Sequence, residues 1–205
     1  MLESYLTIKE KTIAEITEKK SKFIAQIIPV DGEEDAFSKL EEIKKENRDA
    51  RHNVFSYRIA NGPERASDDG EPSGTAGVPI LDILRGNKLQ NVLVVVTRYF
   101  GGILLGTGGL VKAYTDSTKE ALNLATIVEK ILQKKYEIEV PYSYNDKIMY
   151  FCKNNDYEIV ETKYEENAKL YIAVKNELSA IFEQQINDLS NREAIVKVIQ
   201  DEFYA

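Results

Sequence analysis

The stretch VLVVVTRYFGGILLGTGGL, residues 92–110, decides the fold. Val92–Arg98 is the most apolar β-branched run in the chain, which predicts a strand at the centre of a sheet. Apolar residues then recur at helical spacing through Leu110–Val128, which predicts a long helix. The glycines from Gly101 to Gly109 therefore form a strand-to-helix turn, where free backbone N–H groups and the helix dipole favour an anion.

Glycine is concentrated around this turn. Ten of the 11 glycines lie between Gly62 and Gly109, and the last 96 residues have none. The familiar phosphate motifs do not match, because Gly106 is followed by Thr-Gly-Gly and position 111, where a dinucleotide fingerprint needs glycine, is Val111. These glycines either let a ligand approach the backbone closely or only pack the helix against the sheet.

A second glycine segment, SDDGEPSGTAG at residues 67–77, places Asp68, Asp69 and Glu71 within four positions. Such carboxylates suit Mg²⁺ or acid–base chemistry, but Asp-Gly and Glu-Pro are also ordinary turn formers. A solvated acidic turn is the commoner outcome, so we expect no metal and no cofactor.

The single histidine, His52, precedes a predicted strand and is either a proton shuttle or a hydrogen-bonded structural residue. A triad of Ser73, His52 and Asp68 can be drawn, but Ser73 lacks the G-x-S-x-G context of a nucleophile elbow. We therefore assign no catalytic residue. Arginines and aromatic rings are close in sequence here, a combination that suits RNA phosphates and unstacked bases; they are Arg51, Arg58, Arg65, Arg85, Arg98, Phe55, Tyr57, Tyr99 and Phe100.

The pattern of apolar residues along the whole sequence predicts an α+β protein of two domains, 1–135 and 136–205. In the first, we expect strands within residues 13–30, 54–60 and 92–98, helices at 33–47, 78–84 and 110–128, and a loop at 62–77. The tail reads β-α-β-β-α-β, the ferredoxin-like pattern. Residues 136–205 carry 7 Lys+Arg against 14 Asp+Glu, so the whole net charge of −7 lies there.

Composition excludes several classes of protein. One cysteine, Cys152, allows no intramolecular disulfide, and one cysteine with one histidine cannot form a closed zinc site. Cys152 falls on the apolar side of a predicted helix, so we expect a buried core residue. No stretch resembles a secretory signal or approaches the roughly 20 apolar residues of a membrane span. A cytoplasmic protein without a membrane partner is expected.

Several long strings resemble the Impact/YigZ family. They are RHN at 51–53, SDDGEPSGTAGVP at 67–79, VVTRYFGG at 95–102 and LGTGGLVKAY at 105–114. The resemblance covers residues from about 15 to 125, and the tail resembles the carboxy-terminal domain of bacterial members.

This resemblance implies a ribosomal protein S5 domain 2-like fold for the first domain, shared with a domain of elongation factor G and with GHMP-type kinases. It implies a ferredoxin-like tail similar to the last domain of elongation factor G. Eukaryotic relatives regulate translation through a partner protein, with an additional amino-terminal RWD domain that is not found in this sequence. For bacterial relatives, contact with RNA or the ribosome is an expectation.

The leading hypothesis is a non-enzymatic translation regulator that binds RNA, the ribosome or a translation-related protein through the glycine-rich surface. The alternatives are a phosphate- or nucleotide-binding enzyme related to GHMP kinases, and an adaptor that docks through its acidic tail. The predicted binding residues are Arg51, His52, Asn53, Asp68, Asp69, Glu71, Gly74, Arg98, Tyr99, Gly101, Gly102, Gly106, Gly108, Gly109 and Lys112.

Overall fold

The computed structural model describes residues 2–155 and 157–204, and the chain divides into two compact units, residues 1–129 and 130–205. The elements of the first unit, in chain order, are β1 (Ser4–Ile8), β2 (Thr12–Glu18), β3 (Ser21–Pro29), α1 (Glu33–Glu46), β4 (His52–Arg58), β5 (Glu64–Ser67), α2 (Gly77–Gly86), β6 (Val92–Tyr99) and α3 (Gly106–Asn123).

The first unit is built on an antiparallel sheet with the strand order β2-β3-β6-β4-β5, so β6 is central as its sequence predicts. Val94 and Val96 face the core beneath α2 and α3, while Leu93 and Val95 face the core beneath α1. Helices thus cover both faces of β6. This explains a continuous apolar run in a strand of an antiparallel sheet, where one face is often solvated.

Two sequence predictions for the first unit are wrong in part. The loop expected at 62–77 contains the strand β5, and the strand β1 lies before residue 13, where the sequence predicts no element. The helix expected at 110–128 begins earlier, at Gly106, and ends at Asn123. Ile127 and Val128 instead start the strand β7, because β-branched side chains fit a pleated sheet better than a helix.

The second unit has the predicted β-α-β-β-α-β order. Its elements are β7 (Ile127–Val140), α4 (Tyr142–Asn154), β8 (Glu158–Tyr164), β9 (Ala168–Lys175), α5 (Ser179–Leu189) and β10 (Ile195–Tyr204). The strands pair antiparallel in the order β10-β7-β9-β8, which is the ferredoxin-like arrangement. The predicted class is confirmed: an α+β S5 domain 2-like unit followed by an α+β ferredoxin-like unit.

The division between the units falls at residue 129, whereas composition places it at 135. The short polar segment Gln133–Lys135, interpreted from sequence as a linker, is part of the β7 ladder: Gln133 pairs with Lys175 and Lys135 with Ala173. Hydrogen bonding along the strand overrides the local polarity, since a strand residue with one exposed face tolerates a polar side chain.

The core of the second unit is apolar. Tyr136, Ile172 and Phe182 are fully buried, and the rings of Phe182 and Tyr157 lie 4.8 Å apart. Cys152 is also fully buried, and burial raises the pKa of its thiol to about 12. The thiol is therefore an inert packing group, as its place on the apolar face of α4 predicts.

Candidate functional site

A cavity of about 450 Å³ opens at one end of the strands β4 and β6 in the sheet of the first unit. Four segments surround it: the start of β4, the turn after β5, the residues following β6 and the first turns of α3. Its lining residues are Arg51, His52, Gly70, Glu71, Pro72, Arg98, Phe100, Leu104, Leu105, Gly106, Thr107 and Leu110. Apolar walls with a few convergent polar groups are typical of small-ligand sites.

Strand pairing brings the predicted residues together. Because β4 and β6 are antiparallel, the start of β4 meets the end of β6, and His52 pairs directly with Arg98. The acidic turn that contains Glu71 and the turn that leads into α3 both close over this edge. Five predicted site residues line the cavity: Arg51, His52, Glu71, Arg98 and Gly106.

A buried ion pair forms the floor. Arg98 Nη1 donates a hydrogen bond of 2.5 Å to Glu71 Oε1, and the two side chains are only 5% and 4% exposed. Tyr114 Oη donates to the same oxygen at 2.8 Å. Burial and then the charge of Glu71 hold the pKa of Tyr114 far above its usual value, so its hydroxyl stays a donor.

The Arg98 guanidinium is also held by aromatic rings. Its central carbon lies 5.3 Å from the centroid of Phe23 and 5.6 Å from that of Phe100, both within cation–π range. Its Nε atom is buried and finds no hydrogen-bond partner among the residues that the structure describes. The guanidinium is therefore fixed in place and largely neutralised by Glu71.

His52 has a defined orientation. Its Nδ1 lies 2.7 Å from the carbonyl oxygen of Asp69, and since a carbonyl only accepts, Nδ1 carries the proton. In the neutral imidazole Nε2 is then an acceptor, 3.8 Å from Glu71 Oε1. Gly70, which lies against the His52 ring, adopts φ +84°, the left-handed region that glycine adopts freely.

The other two carboxylates of the acidic turn hold the backbone. Asp68 Oδ1 accepts the N–H groups of Ala76 and Gly77, and Oδ2 accepts that of Gly74, so Asp68 caps the amino end of α2. Asp69 Oδ2 accepts the Asn53 N–H at 2.6 Å. Throughout residues 2–155 and 157–204, no group of three or more His, Cys, Asp or Glu side chains is placed to hold a metal ion.

The glycines of the second turn have different roles. A Cβ on Gly101 would overlap the backbone carbonyl group of Lys20, so close backbone approach requires glycine there. Gly102 and Gly106 have φ of +85° and +71°, the left-handed region that glycine adopts freely. Gly109 packs closely on the Leu105 side chain, whereas a Cβ on Gly108 would meet open space.

Three further predicted site residues also lie outside the cavity lining. Tyr99 follows Arg98 in β6 and so faces the other side of the sheet, where its hydroxyl donates to Asn47 Oδ1 at 3.0 Å. Asn53 is buried and accepts a hydrogen bond from the Thr97 hydroxyl. Lys112 is exposed on α3 and pairs with Asp116 at 2.7 Å.

Sequence reasoning missed Tyr114, which completes the buried cluster. It lies at one of the helically spaced apolar positions of α3, a pattern that by itself predicts only a core residue. A signal was available, because a buried tyrosine needs a partner for its hydroxyl. Reasoning from motifs also overlooked Pro72, Leu104 and Thr107, whose contribution depends on how the two turns meet in space.

The rim of the cavity is basic and aromatic. Phe100 is 39% exposed, and the Arg51 guanidinium lies 5.6 Å from its centroid. Lys20 is exposed and its backbone touches Gly101, the residue after Phe100. We refer to Lys20, Arg51 and Phe100 as the rim. Leu104, at 83% exposure, adds an apolar side chain beside it.

Comparison with family models covers most of both units. Residues 19–122 match the Impact N-terminal domain, and residues 138–191 match a domain of unknown function, DUF1949. The first match contains the whole cavity lining.

Several relatives align with most of the chain, across both units. IMPACT family member YvyE of Bacillus subtilis is 38% identical over 199 residues, which is 96% of this chain and 92% of the relative. IMPACT family member YigZ of Escherichia coli is 37% identical, covering 84% and 86%. A crystal structure described as that of a hypothetical protein is 34% identical, with a TM-score of 0.66 over 98% of this chain and 99% of the other. The chain belongs to the IMPACT family.

Proposed function

We propose that this protein is a non-enzymatic regulator of translation that binds RNA, free or within the ribosome, through the rim and the cavity beneath it. The observation that carries the proposal is the contact of an exposed arginine with an exposed aromatic ring at the mouth of a cavity. Arg51 supplies charge for a phosphate, and the exposed part of the Phe100 ring supplies an aromatic surface for a base.

The charges of the first unit support this placement. Within the described chain, Arg51 and Lys20 form no ion pair, so both remain available to phosphates. Arg98 is buried and neutralised by Glu71, and Lys112 is paired with Asp116. The basic surface is therefore smaller than the glycine-rich surface that the sequence suggests, and it is centred on Arg51.

The amino end of α3 adds to this surface. Gly106 and Thr107 line the cavity, and no side chain caps the helix there. The first N–H groups of an 18-residue helix are thus left for solvent or for a ligand. Beside the rim, these groups favour a phosphate.

Family membership supports the translation part of the proposal, because the eukaryotic members that the sequence resembles regulate translation. Rabbit Protein IMPACT is 40% identical over 99 residues, which is 44% of this chain and 30% of that protein. In the described residues, no helix is long and apolar enough to cross a membrane. Work at the ribosome would place the protein in the cytoplasm.

Binding of a single-stranded RNA by the full-length chain, measured across a salt series, tests the proposal. We expect affinity to fall steeply with salt, and the variant Lys20→Ala/Arg51→Ala to reduce the slope of log K against log salt by about 1.4, since each phosphate contact to a single strand contributes roughly 0.7. Lys45→Ala is the matched control, because Lys45 is exposed on α1, against the other face of the sheet. Absence of salt-dependent binding at low ionic strength would overturn the proposal.

A further inference from the structure

We propose that the cavity binds an unpaired guanine base, with the attached phosphate held outside at the rim. This inference rests on the proposed function and identifies the chemistry that the same site selects. It is carried by two hydrogen-bond acceptors on the cavity floor, by the apolar walls and by the position of the cations.

The first acceptor is the free oxygen of Glu71. Oε1 receives both hydrogen bonds of the buried cluster, from Arg98 and from Tyr114, whereas Oε2 receives none from any described residue. Arg98 compensates the charge of the Glu71 carboxylate at the cavity floor through the hydrogen bond to Oε1. A carboxylate oxygen with no donor is a strong acceptor for a ligand N–H.

The second acceptor is His52 Nε2. The hydrogen bond from Nδ1 to the Asp69 carbonyl fixes the tautomer, so the neutral ring presents a lone pair at Nε2. This atom lies 3.8 Å from Glu71 Oε1, and both residues line the cavity. The floor therefore offers acceptors on two neighbouring side chains, Glu71 through its free Oε2 and His52 through Nε2, and it favours a ligand with two neighbouring donors.

Guanine is the standard nucleobase with two neighbouring donors, N1–H and the N2 amino group, on its Watson–Crick edge. Adenine and cytosine each place a ring nitrogen acceptor beside their amino group, and uracil places carbonyl oxygens on both sides of its one N–H. Each of these bases would place a lone pair against an acceptor of Glu71 or His52. That acceptor would then be buried without a donor, which weakens the binding of the base.

The walls and mouth fit the rest of a nucleotide. Pro72, Leu105 and Leu110 are apolar, and a volume of about 450 Å³ lies within the range of small-ligand sites. Arg51 and the uncapped amino end of α3 lie at the opening, where the phosphate of an inserted guanosine would emerge.

Guanine can come from RNA or from a free nucleotide, and one experiment separates the sources. Full-length protein is titrated with decamers of uridine that carry guanosine, inosine, adenosine or uridine at one central position, and separately with GMP and AMP. Inosine lacks only the N2 amino group, so it removes one donor without any change to the protein.

We expect the guanosine decamer to bind at least tenfold more tightly than the adenosine decamer, with inosine between them, because a hydrogen bond to a charged group is worth a factor of about ten or more. Glu71→Gln should reduce the preference for guanosine, and Glu46→Gln, an exposed carboxylate on α1, should leave it unchanged. Circular dichroism establishes that both variants fold, and if Glu71→Gln does not, the inosine arm decides.

The outcomes are distinct. Equal, salt-dependent binding of all four decamers would overturn the guanine site and leave the proposed function standing. A preference for GMP over AMP without binding of any decamer would support the guanine site and overturn the RNA function. Absence of binding in every arm would overturn both.

Discussion

The two units bury different kinds of side chain. In the first, Glu71 and Arg98 are the charged side chains buried among the described residues, and they lie beneath a cavity. In the second, the buried polar residues of the described part are Asn145 and Ser190. Apolar residues would stabilise the first unit at least as well, because removing two charges from water is costly. A buried ion pair beneath a cavity therefore fits the ligand site proposed above better than a role in stability.

Breaking the ion pair between Arg98 and Glu71 should cause the largest loss of stability. Arg98→Met leaves the buried Glu71 carboxylate without its positively charged partner, and we expect the first unit to lose about 3–5 kcal/mol of stability. Amide hydrogen exchange measured by mass spectrometry follows β6 and the second unit separately, and only peptides of the first unit should exchange faster.

The double variant Arg98→Met/Glu71→Gln is the control for this prediction. The glutamine side chain that it introduces is neutral, and its amide oxygen can still accept the Tyr114 hydroxyl, so most of the lost stability should return. If the double variant is as unstable as Arg98→Met, the arginine contributes through packing against Phe23 and Phe100, and the contrast between the two units weakens.

In the second unit, stability should depend on the volume of the buried apolar side chains. Leu170 is fully buried in β9, and Leu170→Ala should cost about 2–5 kcal/mol through lost burial and a residual cavity. Ile195→Ala is the control, because Ile195 is 53% exposed and its truncation should stay within about 0.5 kcal/mol. Faster exchange confined to β7, β8 and β9 of the Leu170→Ala variant supports the prediction, and equal exchange in both variants contradicts it.

Periodicity predicted the second unit more accurately than the first. Its strands and helices alternate regularly, so the β-α-β-β-α-β order could be derived from the residues. In the first unit, β5 joins the sheet only through pairing with β4, and its sequence ERAS has no apolar alternation to indicate a strand. Likewise Gln133–Lys135 form part of a strand because β9 and β10 lie beside β7.

The candidate site was predicted in its parts but not in its assembly. The sequence pointed to His52, Glu71 and Arg98, and antiparallel pairing of β4 with β6 explains why they meet. It could not separate Glu71 from Asp68, because three acids in one turn look alike until their hydrogen bonds are known. Asp68 holds α2, whereas Glu71 holds Arg98.

Two glycines of the turn after β6 should respond in opposite directions. A Cβ on Gly101 collides with the Lys20 backbone, so Gly101→Ala should cost about 1–3 kcal/mol and displace the rim. Gly108→Ala adds a methyl group to open space within α3 and should stabilise the first unit by up to about 1 kcal/mol. Urea unfolding measures the free energy of unfolding of both variants. If the two substitutions change it equally, Gly101 is not required for close approach to the Lys20 backbone.

The smallest loss of stability should come from removing the cap of α2, and this variant separates Asp68 from Glu71 by function. Asp68→Ala removes the acceptor for three backbone N–H groups, and we expect a loss of about 0.5–2 kcal/mol. Asp82→Ala, an exposed acid on the same helix, should have little effect. If Asp68 is only a cap, neither variant changes the preference for guanosine, whereas Glu71→Gln does. A preference lost in Asp68→Ala at unchanged stability would instead place Asp68 in the binding site and remove the distinction between an acid that supports the fold and one that contacts the ligand.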